Sequence, residues 1–339
     1  MINLISDTVT QPTVAMRKAM MAAEVGDDVF KQDPTINRLE AYSAELFGKE
    51  AALYCPSGTM TNQIAIKCHT QPLDELICDE SSHVYQYETG GYAFNSGVSV
   101  NLLKGVNGKI KAEQVAAAVK PDYDWLPSSS LVVLENTCNK GGGSIYRLEE
   151  VSPIKAVCEK HGMALHLDGA RLFNALVETQ EMTTDWGEMF DSISICLSKG
   201  LGAPVGSLLI GERDFIKQAR RFRKVMGGGM RQAGFLAAAG LYALENNRDR
   251  LAEDNARARA VGEVLEQLPY VEAVRPVQSN IVIFDLAGDL QAAAFLAVLE
   301  EEGIIATAFG PQTIRFTFHL HITDEMVAQL VKTLREVTL

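Results

Sequence analysis

The sequence predicts an α/β protein in two parts: a large domain with a mostly parallel sheet over residues 1–245, and a small C-terminal α+β domain over residues 246–339. Three observations carry that expectation. Short apolar runs alternate with amphipathic helical patterns along most of the chain, as buried strands covered on both faces by helices should. After about residue 245 the pattern changes to a long charged helix followed by a shorter set of strands and helices. The length of 339 residues suits about two domains of ~150 residues, and a chain of this size needs neither disulfides nor metals to stabilise its core.

In order, the strands predicted for the large domain are Ala51–Cys55, Leu76–Cys78, Leu131–Glu135, Met163–Asp168, Ser192–Cys196 and Ser207–Ile210. Helical periodicity falls between them on Pro34–Phe47, Met60–Cys68, Lys111–Val119, Leu148–His161 and Phe215–Val225. The C-terminal part opens with a long charged helix, Leu251–Leu268. A strand (Asn280–Phe284), a helix (Leu290–Glu302), a strand pair (Ile304–Phe309 and Thr313–Phe318) and a final helix (Thr323–Val337) follow. The N-terminal segment shows allegiance to neither part by pattern and is grouped with the large domain.

Lys and Arg number 31 against 43 Asp and Glu, a net charge of −12. Such acidity argues against nucleic-acid and anionic-membrane partners, while leaving room for a local basic pocket. None of the six cysteines forms a C-x-x-C pair, and most sit in apolar stretches such as LYCP and SISICLS, where Cys packs as a small hydrophobe. No metal site is expected, and a reducing cytoplasm is. The start, MINLISDTVT, has neither the basic nor the apolar region of a signal peptide. The longest apolar span, Gly234–Leu244, is too short to cross a bilayer.

In open α/β sheets ligands bind beyond the carboxyl ends of the strands. Those positions carry Ser57-Gly58-Thr59, Asp79 to His83, Glu135-Asn136-Thr137, Asp168-Gly169-Ala170-Arg171 and Ser198-Lys199-Gly200. Ser57-Gly58-Thr59 leads from a strand into a helix, which makes either a plain N-cap or an anion cradle. The strict nucleotide patterns, G-x-x-x-x-G-K-[ST] and G-x-G-x-x-G after a first strand, are absent. Asp168, ending a buried strand, needs a cation. Either Arg171 supplies it in a structural ion pair, or the protonated ring nitrogen of pyridoxal phosphate does. Lys199, beyond the next strand, is a solvated loop charge or a Schiff-base amine. His83 is a capping residue or faces a cofactor ring, with Tyr85, Tyr87 and Glu88 lining the pocket. Gly227-Gly228-Gly229, after Arg220, Arg221, Arg223 and Lys224 and before Arg231, suits a close backbone approach to a ligand or another subunit. Arg315, on an apolar strand, suits a bidentate carboxylate clamp. Cradle, carboxylate and lysine in that order form a strong combination, although each is weak alone.

The stretches SDTVTQPT, GDDVF…DPTINRLE, PSGTMTNQIA, LENT, HLDGARLFNA, SKGLGAPVG, GGGMRQAG and IRFTFHL together resemble the L-threonine aldolases, from about residue 2 to the C-terminus. The resemblance implies an aspartate-aminotransferase-like (fold type I) architecture and a pyridoxal 5'-phosphate-dependent lyase that cleaves L-threonine or L-allo-threonine to glycine and acetaldehyde. Carried onto matching positions, it implies that Lys199 forms the Schiff base, Asp168 holds the pyridine nitrogen and His83 stacks on the ring. Gly58 and Thr59 would bind the phosphate. Ser6, Arg171 and Arg315 would hold the substrate carboxylate, with Tyr87 and Trp125 lining the substrate side. Lys224 and Arg231 would reach a neighbouring subunit's cofactor, since the family's sites lie at dimer interfaces in homotetramers. The chain departs from the family where G-D-D-V-Y-G becomes Val29-Phe30-Lys31, and where Trp125 replaces a histidine before LENT. The second departure admits an alternative preference for aryl substrates such as phenylserine, or β-elimination. A non-catalytic cofactor-binding protein is a remoter alternative, against which the intact Lys199 and Asp168 count.

Overall fold

The computed structural model describes residues 1–337. The chain opens with a two-residue strand, β1 (Ile2–Asn3). The large sheet then takes β2 (Ala51–Cys55), β3 (Asp74–Asp79), β4 (Ser99–Leu103), β5 (Ser128–Glu135), β6 (Ala164–Asp168), β7 (Ser192–Cys196) and β8 (Ser207–Gly211), in the spatial order β2-β8-β7-β6-β5-β3-β4. Pairings among β3 to β7 are parallel, and β8 runs antiparallel to both neighbours. Leu131 to Leu134, Leu165, Leu167, Ile193 and Ile195 are buried, which is why these central strands read as continuous apolar runs. β4 was missed because it is an edge strand: SVNLL is half exposed and has one partner.

All the sequence-predicted helices of this part form, with small shifts at their ends. Five more α-helices were not expected: Val14–Met21, the short His83–Gln86, Leu172–Thr179, Thr183–Met189 and Gly234–Asn246. The last is the longest apolar span of the sequence. It is buried nearly all round between neighbouring helices and so lacks the one-sided pattern by which helices are recognised. No helix among the described residues is long and apolar enough to cross a membrane.

The C-terminal part holds β9 (Val271–Val274), β10 (Ile281–Leu286), β11 (Ile304–Ile305), β12 (Thr307–Ala308) and β13 (Thr313–Thr317), with an antiparallel sheet ordered β12-β13-β10-β9. The single strand expected over 304–309 is divided. β11 pairs in parallel with β1, whereas β12 pairs with β13. Ile2 and Leu4 are consequently buried in the C-terminal core with Phe284, Phe295 and Phe316, while Met16 lies in the large core. The N-terminal segment, grouped by pattern with residues 1–245, thus crosses from one core to the other.

This topology puts the carboxyl ends of β2, β3, β5, β6 and β7 on one edge of the sheet. The N-terminal segment passes over that edge: Thr10 Oγ1 donates to the Lys199 carbonyl at 3.1 Å.

Candidate active site

Ser57 caps the helix Gly58–His69, its side chain accepting the Met60 N–H at 3.2 Å. The other N–H groups of the first turn point outward at the positive end of the helix dipole, beside the exposed Thr59. A Cβ on Gly58 would lie 2.6 Å from Cys196 Sγ, so only glycine fits between this turn and β7. The glycine run serves the same corner. Gly227 has φ +85°, and a Cβ on Gly228 would lie 2.3 Å from Met60 Sδ. The backbone after helix Arg213–Val225 can therefore press against the first turn. Lys224 and Arg231 flank it and are exposed, Arg231 bonding Asp27 at 2.8 Å. Arg223 is committed elsewhere, buried against Asp28 and the Tyr54 carbonyl at 2.8 Å each.

Asp168 is buried at the end of β6 and accepts the Ala170 N–H at 3.2 Å and Asn62 Nδ2 at 2.9 Å. It has no ion-pair partner among the described residues. The structural pair with Arg171 does not form, because Arg171 turns to Asp7 instead, with Nε at 2.7 Å and Nη2 at 2.8 Å from its two oxygens. Burial pushes Asp7 up, but the Arg171 guanidinium, its hydrogen bonds and the nearby Lys199 outweigh it and hold the carboxyl at about 2. Asp168 remains a buried carboxylate without a direct ion pair among the described residues, a costly arrangement that a protonated ring nitrogen would relieve.

His83 begins a short helix beyond β3. Its Nδ1 lies 2.9 Å from Glu88 Oε1, and its backbone N–H donates to Glu135 Oε2 at 2.8 Å. Burial lowers the imidazole, but the Glu88 bond and the Asp168 and Glu135 charges outweigh it, so the ring holds its proton more tightly than usual. Glu88 is fixed by Asn62 and Gln63. Burial and the Asp168 charge push Glu135 up to about 6, although it accepts N–H groups from both His83 and Asn139. His83, Glu88 and Asp168 each bring an atom within 4.8 Å of the others.

Lys199 follows β7 on the same edge. It is half-buried, and its ammonium makes no hydrogen bond or ion pair among the described residues. Arg315, buried on β13, donates to Asn139 Oδ1 at 2.9 Å and to the Ile5 carbonyl at 2.8 Å, while its Nε has no partner. Burial and the Arg171 charge lower it to about 10. Ser6 caps the turn Asp7–Val9 between these contacts, accepting from Thr8. Tyr87 lies beside His83, ring centres 5.6 Å apart.

The beta-eliminating lyase family model matches residues 3–288. The chain belongs to the beta-eliminating lyase family. It is similar to a low specificity L-threonine aldolase of Escherichia coli K12, 42% identical over 335 residues, 97% of each chain. Among solved structures it resembles Leishmania major threonine aldolase (TM-score 0.85, 22% identity, 99% of each chain). It also resembles Sphingomonas wittichii serine palmitoyltransferase (TM-score 0.77, 20% identity, 99% of this chain and 86% of that one). The fold is thus the aspartate-aminotransferase-like type I architecture expected from the motifs.

Of the residues this lyase was expected to use, one copy of the chain brings together Gly58, Thr59, His83, Tyr87, Asp168, Arg171, Lys199, Arg315 and Ser6. It does not bring Trp125. That residue is 77% exposed, stacked on Tyr123, and lies before the amino end of β5. Glu135 at the other end of β5 is eight residues of strand, roughly 25 Å, away. The sequence reading missed Asp7, Asn62, Asn139 and His166. Two of them carried a readable signal: His166 lies two strand residues before Asp168 and Asn62 one helical turn after Gly58, both spacings that return to the same face.

Proposed function

We propose that this protein is a pyridoxal-phosphate-dependent carbon–carbon lyase that cleaves L-threonine and L-allo-threonine to glycine and acetaldehyde. The observation that carries the reading is a half-buried lysine and a buried carboxylate, neither in an ion pair among the described residues, both on the sheet edge that holds the anion cradle. Bound pyridoxal phosphate supplies an electron sink for the pair released when the Cα–Cβ bond breaks. Lys199 would anchor the group and Asp168 would keep its ring nitrogen protonated. Gly58, Thr59 and the outward N–H groups of their helix receive the phosphate.

Arg315 and Ser6 hold the substrate carboxylate, and Arg171, locked by Asp7, offers its remaining Nη1. Holding the carboxylate fixes which bond at Cα is aligned for cleavage. His83 would stand beside the bound group and serve as the base for the β-hydroxyl proton. Its Nδ1 is engaged by Glu88, so Nε2 is the nitrogen left to take it. The aryl-substrate alternative rested on Trp125, which one copy of the chain keeps away from this group.

The protein is further read as a cytoplasmic homotetramer with sites at dimer interfaces. Support comes from the outward Lys224 and Arg231 beside the cradle and from Phe94 and Phe30, which are 90% and 68% exposed in one copy.

The test supplies purified protein with pyridoxal phosphate and offers L-threonine, L-allo-threonine and phenylserine separately. Equimolar glycine and aldehyde are expected, with higher kcat/KM for the aliphatic substrates. Lys199→Ala is expected to abolish multiple turnover. No glycine from any of the three would discard the aldolase reading.

A further inference from the structure

A row of polar side chains runs through the large domain behind Asp168. His69, at the C-terminal end of helix Gly58–His69, places Nε2 2.8 Å from Ser192 Oγ. The same hydroxyl lies 2.8 Å from Nδ1 of the buried His166, which is also 3.1 Å from the Ser192 carbonyl. His166 Nε2 is 3.1 Å from Asn62 Oδ1. Asn62 Nδ2 is 2.9 Å from both Glu88 Oε1 and Asp168 Oδ2.

Donor and acceptor chemistry orients the whole row. Two carboxylate oxygens can only accept, so the Asn62 group between them is its NH2 and its oxygen faces His166. That oxygen also only accepts, so His166 carries its proton on Nε2. Its Nδ1 is then an acceptor, filled by the Ser192 hydroxyl rather than by the carbonyl. The Ser192 oxygen in turn accepts Nε2–H of His69. Every hydrogen bond points one way, towards the carboxylates. Burial pushes His166 down to about 3 and His69 to about 4, so both rings are neutral near pH 7 and each has one donor to spend.

We propose that Asn62 and His166 are positioning residues for Asp168, the end of a one-way donor chain from His69 that keeps this carboxylate oriented and ionised for the cofactor's ring nitrogen. This rests on the reading of Asp168 given above. The Asn62 amide also spans to Glu88, the partner of His83. One amide therefore sets the spacing between Asp168 and the carboxylate that holds His83. Without its two N–H donors, Asp168 and Glu88 lose the amide that bridges them in one buried cluster.

The first measurement is 15N NMR of the histidines in the wild-type protein at neutral pH. His166 is expected with its proton on Nε2 and a bare Nδ1. The other tautomer or an imidazolium overturns the chain. The second is the dissociation constant of pyridoxal phosphate, with the 15N shift of its ring nitrogen, for Asn62→Ala, His166→Phe, His166→Gln and Asp168→Asn. Asn62→Ala and His166→Phe are expected to weaken binding about tenfold or more and to move the ring nitrogen towards its unprotonated shift. His166→Gln, whose amide can still donate to Asn62, should restore part of both. Wild-type affinity and shift in Asn62→Ala and His166→Phe, with loss in Asp168→Asn, would overturn the proposal alone. Wild-type behaviour in Asp168→Asn would overturn the ring-nitrogen reading and the proposal with it.

Discussion

Arg315 and Arg171 lie close enough to depress Arg315, yet only Arg171 has an anion, the buried carboxylate of Asp7. Arg315 spends two nitrogens on neutral oxygens and keeps Nε unpaired, which is the state a guanidinium awaiting a carboxylate should have. Arg315→Lys keeps the charge but loses the planar fork. KM for threonine is expected to rise about tenfold or more, with kcat changing less, in steady-state kinetics. Asp7→Asn would leave Arg171 buried without its counter-charge, a loss of about 3–5 kcal/mol that the denaturant midpoint of the protein would register. The backbone at Lys31 is left-handed (φ 57°), a conformation that suits the usual glycine of G-D-D-V-Y-G and that the lysine adopts at a cost.

The helix Gly58–His69 is the element on which the site depends most. Its first turn forms the cradle, Asn62 one turn on bridges Asp168 and Glu88, and His69 at its end begins the donor chain. Its seating is set by Gly58 against Cys196, the last residue of β7 before the Lys199 loop. Gly58→Ala would require a shift of several tenths of an ångström between this helix and β7. Cofactor affinity is expected to fall at least tenfold with secondary structure retained, measured by fluorescence titration and circular dichroism. Wild-type affinity would show that the cradle tolerates the shift.

At the scale of the molecule, pH acts through buried groups of opposite sign. His69 and His166 titrate in the fold at about 4 and about 3, below the 6.5 of an unperturbed histidine, and His319 is lowered too, chiefly by burial. Their stabilisation is complete above pH 6.5 and is lost as pH falls, at up to about 1.4 kcal/mol per pH unit for each. Glu135 is raised from 4.5 to about 6, so its contribution is complete below 4.5 and is lost as pH rises through 6. Asp28 and Asp254 are raised above 3.8 as well, chiefly by burial, and act in the same sense as Glu135. Between pH 4.5 and 6 the histidines therefore raise the stability of the cofactor-free protein with pH, and the carboxyls lower it. His69→Phe, which keeps an aromatic ring on Phe215, should reduce the slope by about 1.4 kcal/mol per pH unit in urea titrations at several pH values. An unchanged slope would contradict the neutral state of His69.

Most of the candidate site residues follow buried strands directly, and that is why they could be read in sequence. Cys55, Asp168 and Cys196 end apolar runs, and the cradle, the carboxylate and Lys199 lie at or just beyond those ends. Local pattern thus determined the central strands, the cofactor-binding edge and most of the candidate residues. It left undecided whatever depends on residues far apart in the chain. Whether Arg171 pairs with Asp168 or Asp7, 164 positions away, was settled only by the N-terminal segment crossing the sheet edge. The place of Ile2 and Leu4 followed from pairing with β11, near the other end of the chain. Trp125 matched a family position along the chain, but the length of β5 holds it at the far edge of the sheet in one copy. Sequence encodes burial and turns locally, whereas charge pairing and the alignment of His69, Ser192, His166 and Asn62 exist only once separate strands and helices are packed side by side.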